Sequence, residues 1–390
     1  MTALEDDFTP AQITRSRTRR REVAPLRYTS MLLALAVPAV LGFTLLGAGL
    51  VRAAGRVAGG GWVATAALGA VALQLVTFLA ALPLSLRAEA VNRRWGLSHR
   101  GARLFAADAA KGLGIGATLF AVVSVVLYGL MRWQPDTWWA WAALGAALLV
   151  VALSFLLPVV VEPLFNRFTP LPDGELRRAL MAMVEASGVP VRDILVSDAS
   201  RRTSAVNAYV SGIGRTRRVV VWDTTVRQAA PEEVVAVAAH ELGHAARRDV
   251  LYGTLTGAVG AAAVTCALAA ALHWTPLLHA AGVTRAADPR SLALVLALGT
   301  VAGVLGGPVY NARSRQVEAR ADAYALDLTR APETVVAMQR RLAVLNIADL
   351  EPHPLAVAVF ATHPPTTARI AHARAWAAAH GLPDPPHLPA

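Results

Sequence analysis

The chain has one cysteine, Cys266, and one lysine, Lys111, among 390 residues. A single thiol excludes both a disulfide framework and a cysteine zinc cluster. Charge is scarce as well: 16% of residues are charged against 55% hydrophobic, and mean hydropathy is +0.46, outside the range of ordinary soluble chains. Aromatic residues make up only 6%, and none interleaves with the basic stretches as a stacking platform would require. The net charge of +11 therefore does not indicate nucleic acid as a partner.

What is present is apolar in long runs. Residues 30–51, 62–86, 112–131, 138–161, 251–274 and 291–310 each approach the roughly 20 residues needed to cross a bilayer. None of the six contains Asp, Glu, Lys or Arg, which counts against a transporter or scaffold with an ion path through its spans. The fold class expected is mainly α: a polytopic membrane protein with about six spans, the last weakened at its end by Gly306, Gly307 and Pro308. Arginine sets the topology. Six arginines between Arg15 and Arg27 precede the first span, and five more with Lys111 fill the loop after the second, whereas the alternate loops carry one or two each. The positive-inside rule then places the N-terminus, the 87–111 loop, the 162–250 segment and the 311–390 tail in the cytoplasm, facing anionic lipid. A secretory signal is disfavoured, because the first run is too long and no small-x-small cleavage site follows it. The expected location is a membrane, with the 162–250 and 311–390 segments on its cytoplasmic side.

The chain divides into a basic N-terminal segment (1–29, a tail or interfacial helix), a four-span membrane domain (30–161), a cytoplasmic α+β segment (162–250), a transmembrane hairpin (251–310) and a helical C-terminal segment (311–390). In the α+β segment a helix over 175–187 capped by Asp173 is followed by β-like runs at 193–197, 204–210 and 218–222, with a turn at Gly212-Ile213-Gly214. The hairpin spans carry Gly253/Gly257 and Gly299/Gly303, a spacing that permits close helix contact. The proline-rich end after Leu382 reads as a frayed tail.

The chemistry is concentrated in His240-Glu241-Leu242-Gly243-His244 and, much later, Glu318-Ala319-Arg320-Ala321-Asp322. On a helix the two histidines stand on one face and Glu241 lies roughly 100° round from His240, so two imidazoles can grip one ion while a carboxylate reaches a water beside it. Catalytic zinc takes three protein ligands, and Glu318 is the best third donor. Asp322, one turn on, can accept the remaining N–H of a zinc histidine. An apolar lead-in, Ala236 to Ala239, makes an unpaired His-Glu-His costly to bury and so favours a bound Zn2+, one per chain.

These residues resemble the M48 metalloproteases of the Ste24 type, the integral-membrane CAAX prenyl endopeptidases with a gluzincin-like metal unit. The resemblance extends over ordered matches at Gly96-Leu97-Ser98, Pro163-Leu164-Phe165-Asn166, Phe168-Thr169-Pro170-Leu171, Asn207-Ala208-Tyr209, Asp223-Thr224, Ser314-Arg315 and Thr362-His363-Pro364-Pro365 with Arg369. The chain looks like a shorter, bacterial-type relative. The likeness implies zinc on His240, His244 and Glu318, Glu241 as general base, Asp322 in support, Asn207, Ala208 and Tyr209 as a strand along which substrate lies, and His363 and Arg369 near the reacting groups or the substrate. Where the family often has a further histidine after the motif helix, this chain reads Arg247-Arg248-Asp249.

The function expected is a zinc-dependent membrane endopeptidase acting on apolar or prenylated peptides of CAAX type. The rival from the same chemistry is an HtpX-like quality-control protease. A non-enzymatic transporter or scaffold ranks below both.

Overall fold

The computed structural model describes residues 4–212, 214 and 217–388. Six helices are long and apolar enough to cross a membrane. The first, α1 (Pro10–Gly42), begins with a capping box in which Thr9 and Gln12 satisfy each other's backbone N–H groups. It ends inside the first apolar run. The Thr44 hydroxyl donates to the Val40 carbonyl at 2.6 Å and accepts from the Leu46 amide at 3.3 Å, so it closes α1 and opens α2 (Leu45–Arg56) in one residue. The expected continuous span at 30–51 is thus two helices. Long helices α3 (Trp62–Arg94), α4 (Ala102–Trp133) and α5 (Trp138–Leu156) follow, and α5 continues through a wider turn at Leu157–Val161 into α6 (Glu162–Phe165).

Beyond the membrane helices the chain forms β1 (Phe168–Pro170), α7 (Glu175–Ser187), β2 (Asp193–Ser197), β3 (Ala208–Ser211), β4 (Arg218–Trp222) and the short α8 (Asp223–Gln228). The sheet has four strands in the order β1-β2-β4-β3, with β2 and β4 parallel and the other pairs antiparallel. Three strands were expected; β1 is additional, and the run at 204–210 is extended only from Ala208. The residue that caps α7 is Gly174, not Asp173, which instead reaches Arg177 at 3.5 Å. Ile213, in the expected turn, lies outside the described residues.

Two helices then define the centre of the molecule. α9 (Pro231–Ala246) starts with proline, and the Glu233 carboxylate accepts the orphan Ala230 amide at 3.0 Å. A single left-handed residue, Arg248 at φ 57°, turns the chain into α10 (Asp249–Leu272). After α11 (Thr275–Ala280), the 38-residue helix α12 (Leu292–Thr329) crosses back and runs on without interruption past Gly306, Gly307 and Pro308 to Glu318 and Asp322. The expected end of the span near residue 310 is not a helix end. α13 (Pro332–Leu345), α14 (Pro354–Phe360) and α15 (Thr366–Ala379) complete the fold.

Two apolar cores result. One lies among the spans and includes Leu73, Tyr128, Leu292 and Leu294. The other joins the sheet to α9, α12, α13 and α15 through Ile194, Val219, Leu242, Leu326 and Ile370. Leu4, Phe8 and Ile13 belong to this second core, and Asp7 is clamped between Arg340 and Arg374. Residues 4–13 are therefore packed into the sheet-bearing unit, not held as a tail beside it. The C-terminal end is also fastened: the Leu388 amide donates to Asp6 O at 2.9 Å, and Arg340 donates to Pro386 O at 2.8 Å.

Small residues admit close helix contacts, though not where spacing suggested. A Cβ at Gly42 would stand 2.4 Å from Ala297 Cβ, whereas one at Gly253, Gly299 or Gly303 would meet nothing within 4 Å and one at Gly257 only ordinary contact with Val150.

Candidate metal centre

Nearly every side of α9 is buried, so its polar residues have to be satisfied inside the protein. His240 and His244 present perpendicular rings with centroids 4.9 Å apart, as their one-turn spacing requires. α12 crosses directly over them. The approach depends on Gly243, where a Cβ would already lie 3.1 Å from Tyr324 Cδ1 and 3.3 Å from Ala321 Cα. A bulkier residue would force the two helices apart and withdraw Glu318.

Glu318 Oε2 lies 3.2 Å from His240 Nε2, and Glu318 Oε1 lies 3.5 Å from His244 Nε2. The other nitrogens face carboxylates: His240 Nδ1 is 2.9 Å from Asp322 Oδ1, and His244 Nδ1 is 2.9 Å from Asp249 Oδ2. With Nδ1 of each neutral ring donating, both Nε2 atoms turn lone pairs toward Glu318. One donor atom from each of His240, His244 and Glu318 fits within 4.8 Å of the others, and Glu318 Oε2 is buried without a hydrogen-bond partner. Electron-rich atoms converging with no proton between them are a gap that fits a cation. Two imidazoles and a carboxylate match the His2Glu donor set of catalytic zinc. The surrounding carboxylates favour positive charge: although burial opposes it, Asp322 and Glu318 push the His240 imidazole up to about 9 without an ion, and a bound cation would take the place of that proton.

Glu241, next to His240 in the chain, is not one of the three donors. Burial pushes its carboxyl above the usual range, while His240, His244 and the Val210 backbone amide pull the other way. That amide belongs to β3, the edge strand of the sheet. Asn207 precedes β3, its backbone locked by Thr225 and Trp222 and its side chain exposed. Ala208 is buried, and the Tyr209 hydroxyl bonds Glu162 at the end of the fourth span.

His363, in the loop before α15, brings Nε2 to 3.3 Å from Glu318 Oε2 while its side chain remains 57% exposed. Arg369, expected beside the reacting groups or the substrate, is committed elsewhere. Its Nε donates to Asp322 Oδ2 at 2.8 Å, and Nη2 lies 3.5 Å from His240 Nδ1, behind the ring. Its Nε and Nη2 are held by Asp322, on the Nδ1 side of His240. Asp249 is the residue the sequence argument passed over; an acid in the first turn of the helix following the motif was the available signal.

Comparison with known proteins agrees with this geometry. The model for peptidase family M48 matches residues 170–377, and a model described as "CAAX prenyl protease N-terminal, five membrane helices" matches residues 2–167. The chain is 30% identical over 307 residues to the uncharacterized metalloprotease YhfN of Bacillus subtilis, covering 77% of this chain and 71% of that one. It is 30% identical over 295 residues to the CAAX prenyl protease 1 homolog of Arabidopsis thaliana, covering 74% and 68%. The crystal structure of S. mikatae Ste24p superposes with a TM-score of 0.83 over 95% of this chain and 90% of that one; at 22% identity this likeness speaks for the fold. A paired-histidine motif facing a helix-borne glutamate, six apolar helices and these matches make the chain a member of peptidase family M48, an integral-membrane metalloendopeptidase.

Proposed function

We propose that the protein uses zinc, held by His240, His244 and Glu318, to hydrolyse peptide bonds near the C-termini of apolar or prenylated CAAX-type substrates. The observation that carries this reading is the convergence of those three donors beside Glu241 and the free edge of β3. A bound zinc ion would supply Lewis acidity and make water acidic enough to ionise near neutral pH.

The remaining work belongs to the chain's own side chains. Substrate adds as a strand along Asn207, Ala208 and Tyr209, which aligns its scissile carbonyl over α9. Glu241, beside that strand, takes the proton of the attacking water and returns it to the leaving amine. His363, 3.3 Å from Glu318 and open to solvent, donates to the developing oxyanion. Asp322 and Asp249 hold the two imidazoles in register, and Arg369 fixes Asp322. Arginine-rich loops on the same side support a cytoplasmic site in a bacterial plasma membrane. The printed names of relatives support CAAX substrates.

The test is incubation of the purified protein with prenylated and unprenylated CAAX peptides and with an unfolded membrane protein, each with and without a zinc chelator. Chelator-sensitive trimming of the prenylated peptide is expected. Degradation of the unfolded protein alone would replace this reading with quality control.

A further inference from the structure

Where α10 leaves α9 and α12 passes beside it, a cavity of about 510 Å3 is walled by Arg247, Asp249, Tyr252, Arg313, Val317 and Arg320. It backs the metal centre without opening on it. Asp249 reaches Nδ1 of His244, while Nε2 of that ring faces Glu318. Neither Glu241, His363 nor any residue of β3 lines the cavity, so it is separate from the substrate cleft.

Its charge is unbalanced. Three guanidiniums meet one carboxylate, and that carboxylate is already shared with His244; Arg320 approaches it at 3.7 Å. Arg247 and Arg313 have no carboxylate partner among the described residues. The neighbouring surface is apolar and open: Val250, Leu251 and Tyr252 on α10, and Val309 and Tyr310 on α12, are all exposed. Exposed aliphatic side chains with tyrosines at the ends of two spans mark the level where acyl chains give way to headgroups. Guanidinium forks at that level suit a phosphate, which accepts paired hydrogen bonds.

We propose that this cavity binds the phosphate of an anionic membrane lipid. The assignment is independent of the peptidase chemistry, and native mass spectrometry of the full chain in detergent tests it. One phosphatidylglycerol per chain is expected to remain bound under activation that strips phosphatidylcholine. The double variant Arg247→Gln/Arg313→Gln should retain it at least about tenfold less well, while Arg132→Gln, at the far end of α4, should match the parent. Equal retention of the two lipids, or undiminished retention by the double variant, overturns the proposal. Inorganic phosphate and glycerol phosphate, offered alone, separate the sources: if either is held as firmly as the lipid, the site is one for a free phosphate and the lipid assignment falls. Should the double variant not fold, the headgroup comparison on the parent protein decides the matter.

Discussion

Asp249 Oδ2 stands 2.9 Å from Nδ1 of His244, on the side of the ring opposite Glu318. The contact exists because Arg248 adopts a left-handed conformation and starts α10 pointing back at α9. It pairs with the contact of Asp322 on His240, so each imidazole is oriented by its own carboxylate. Asp249→Ala should weaken metal affinity by about 10- to 100-fold with the fold intact, as removal of such orienting partners does. Competition against a chelator of known affinity measures this; unchanged affinity would show that Arg248 and Asp249 serve only the turn.

Glu241 and Glu318 should separate cleanly in the same assay. Glu241→Gln is expected to keep one metal ion per chain and lose cleavage by at least about 100-fold. Glu318→Ala is expected to lose the ion itself. Normal turnover by the first, or full occupancy in the second, would reverse the roles.

Gly243 sets the distance between α9 and α12. Gly243→Val would press a branched side chain against Tyr324 and the Ala321 backbone, at a cost of about 1–3 kcal/mol, and lower metal occupancy by moving Glu318. Gly299→Ala, with open space around it in the helix interior, should leave metal content unchanged and not lower the melting temperature. Equal effects of the two would contradict the close approach at Gly243.

Asp7 offers a pH dependence of stability. Burial raises its carboxyl, but hydrogen bonds from Arg374 and Arg340 hold it below the ordinary 3.8. A depressed carboxyl contributes stability that is fully present above its unfolded value and lost as pH falls through its folded one. Asp7→Asn should therefore cost about 3 kcal/mol at neutral pH, since it strands two guanidiniums that are themselves mostly buried. The difference in melting temperature between the two proteins should narrow as pH drops below 3.8. A constant difference would mean the clamp is not ionic.

Much of this architecture was legible in the sequence because its signals are local. Apolar runs of spanning length located the crossing helices, and one-turn spacing located His240 over His244. Asp193–Ser197 and Arg218–Trp222 were read to the residue, since both are short β-branched runs. What was missed is settled by contacts far apart in the chain. Thr44 breaks an apolar run that a hydropathy average smooths over. Leu4 and Phe8 look like part of a polar leader until α13 and α15 are packed around them. The role expected of Arg369 comes from the resemblance alone, and its pairing with Asp322, 47 residues earlier, has no local signal. Glycine spacing at 253/257 and 299/303 marks a possible contact without a partner, whereas Gly42 has one in Ala297.

The unbroken course of α12 has a mechanical meaning. Leu305, exposed on the apolar part of the helix, and Glu318 share one rod, and 13 residues of helix separate them by about 20 Å. The stretch between them holds Gly306, Gly307 and Pro308, and bending the rod there by about 10° would sweep the carboxylate about 3 Å sideways, as far as it now stands from His240 Nε2. A bend of that size at the glycine-proline stretch would thereby open or close the gap that the three donors frame.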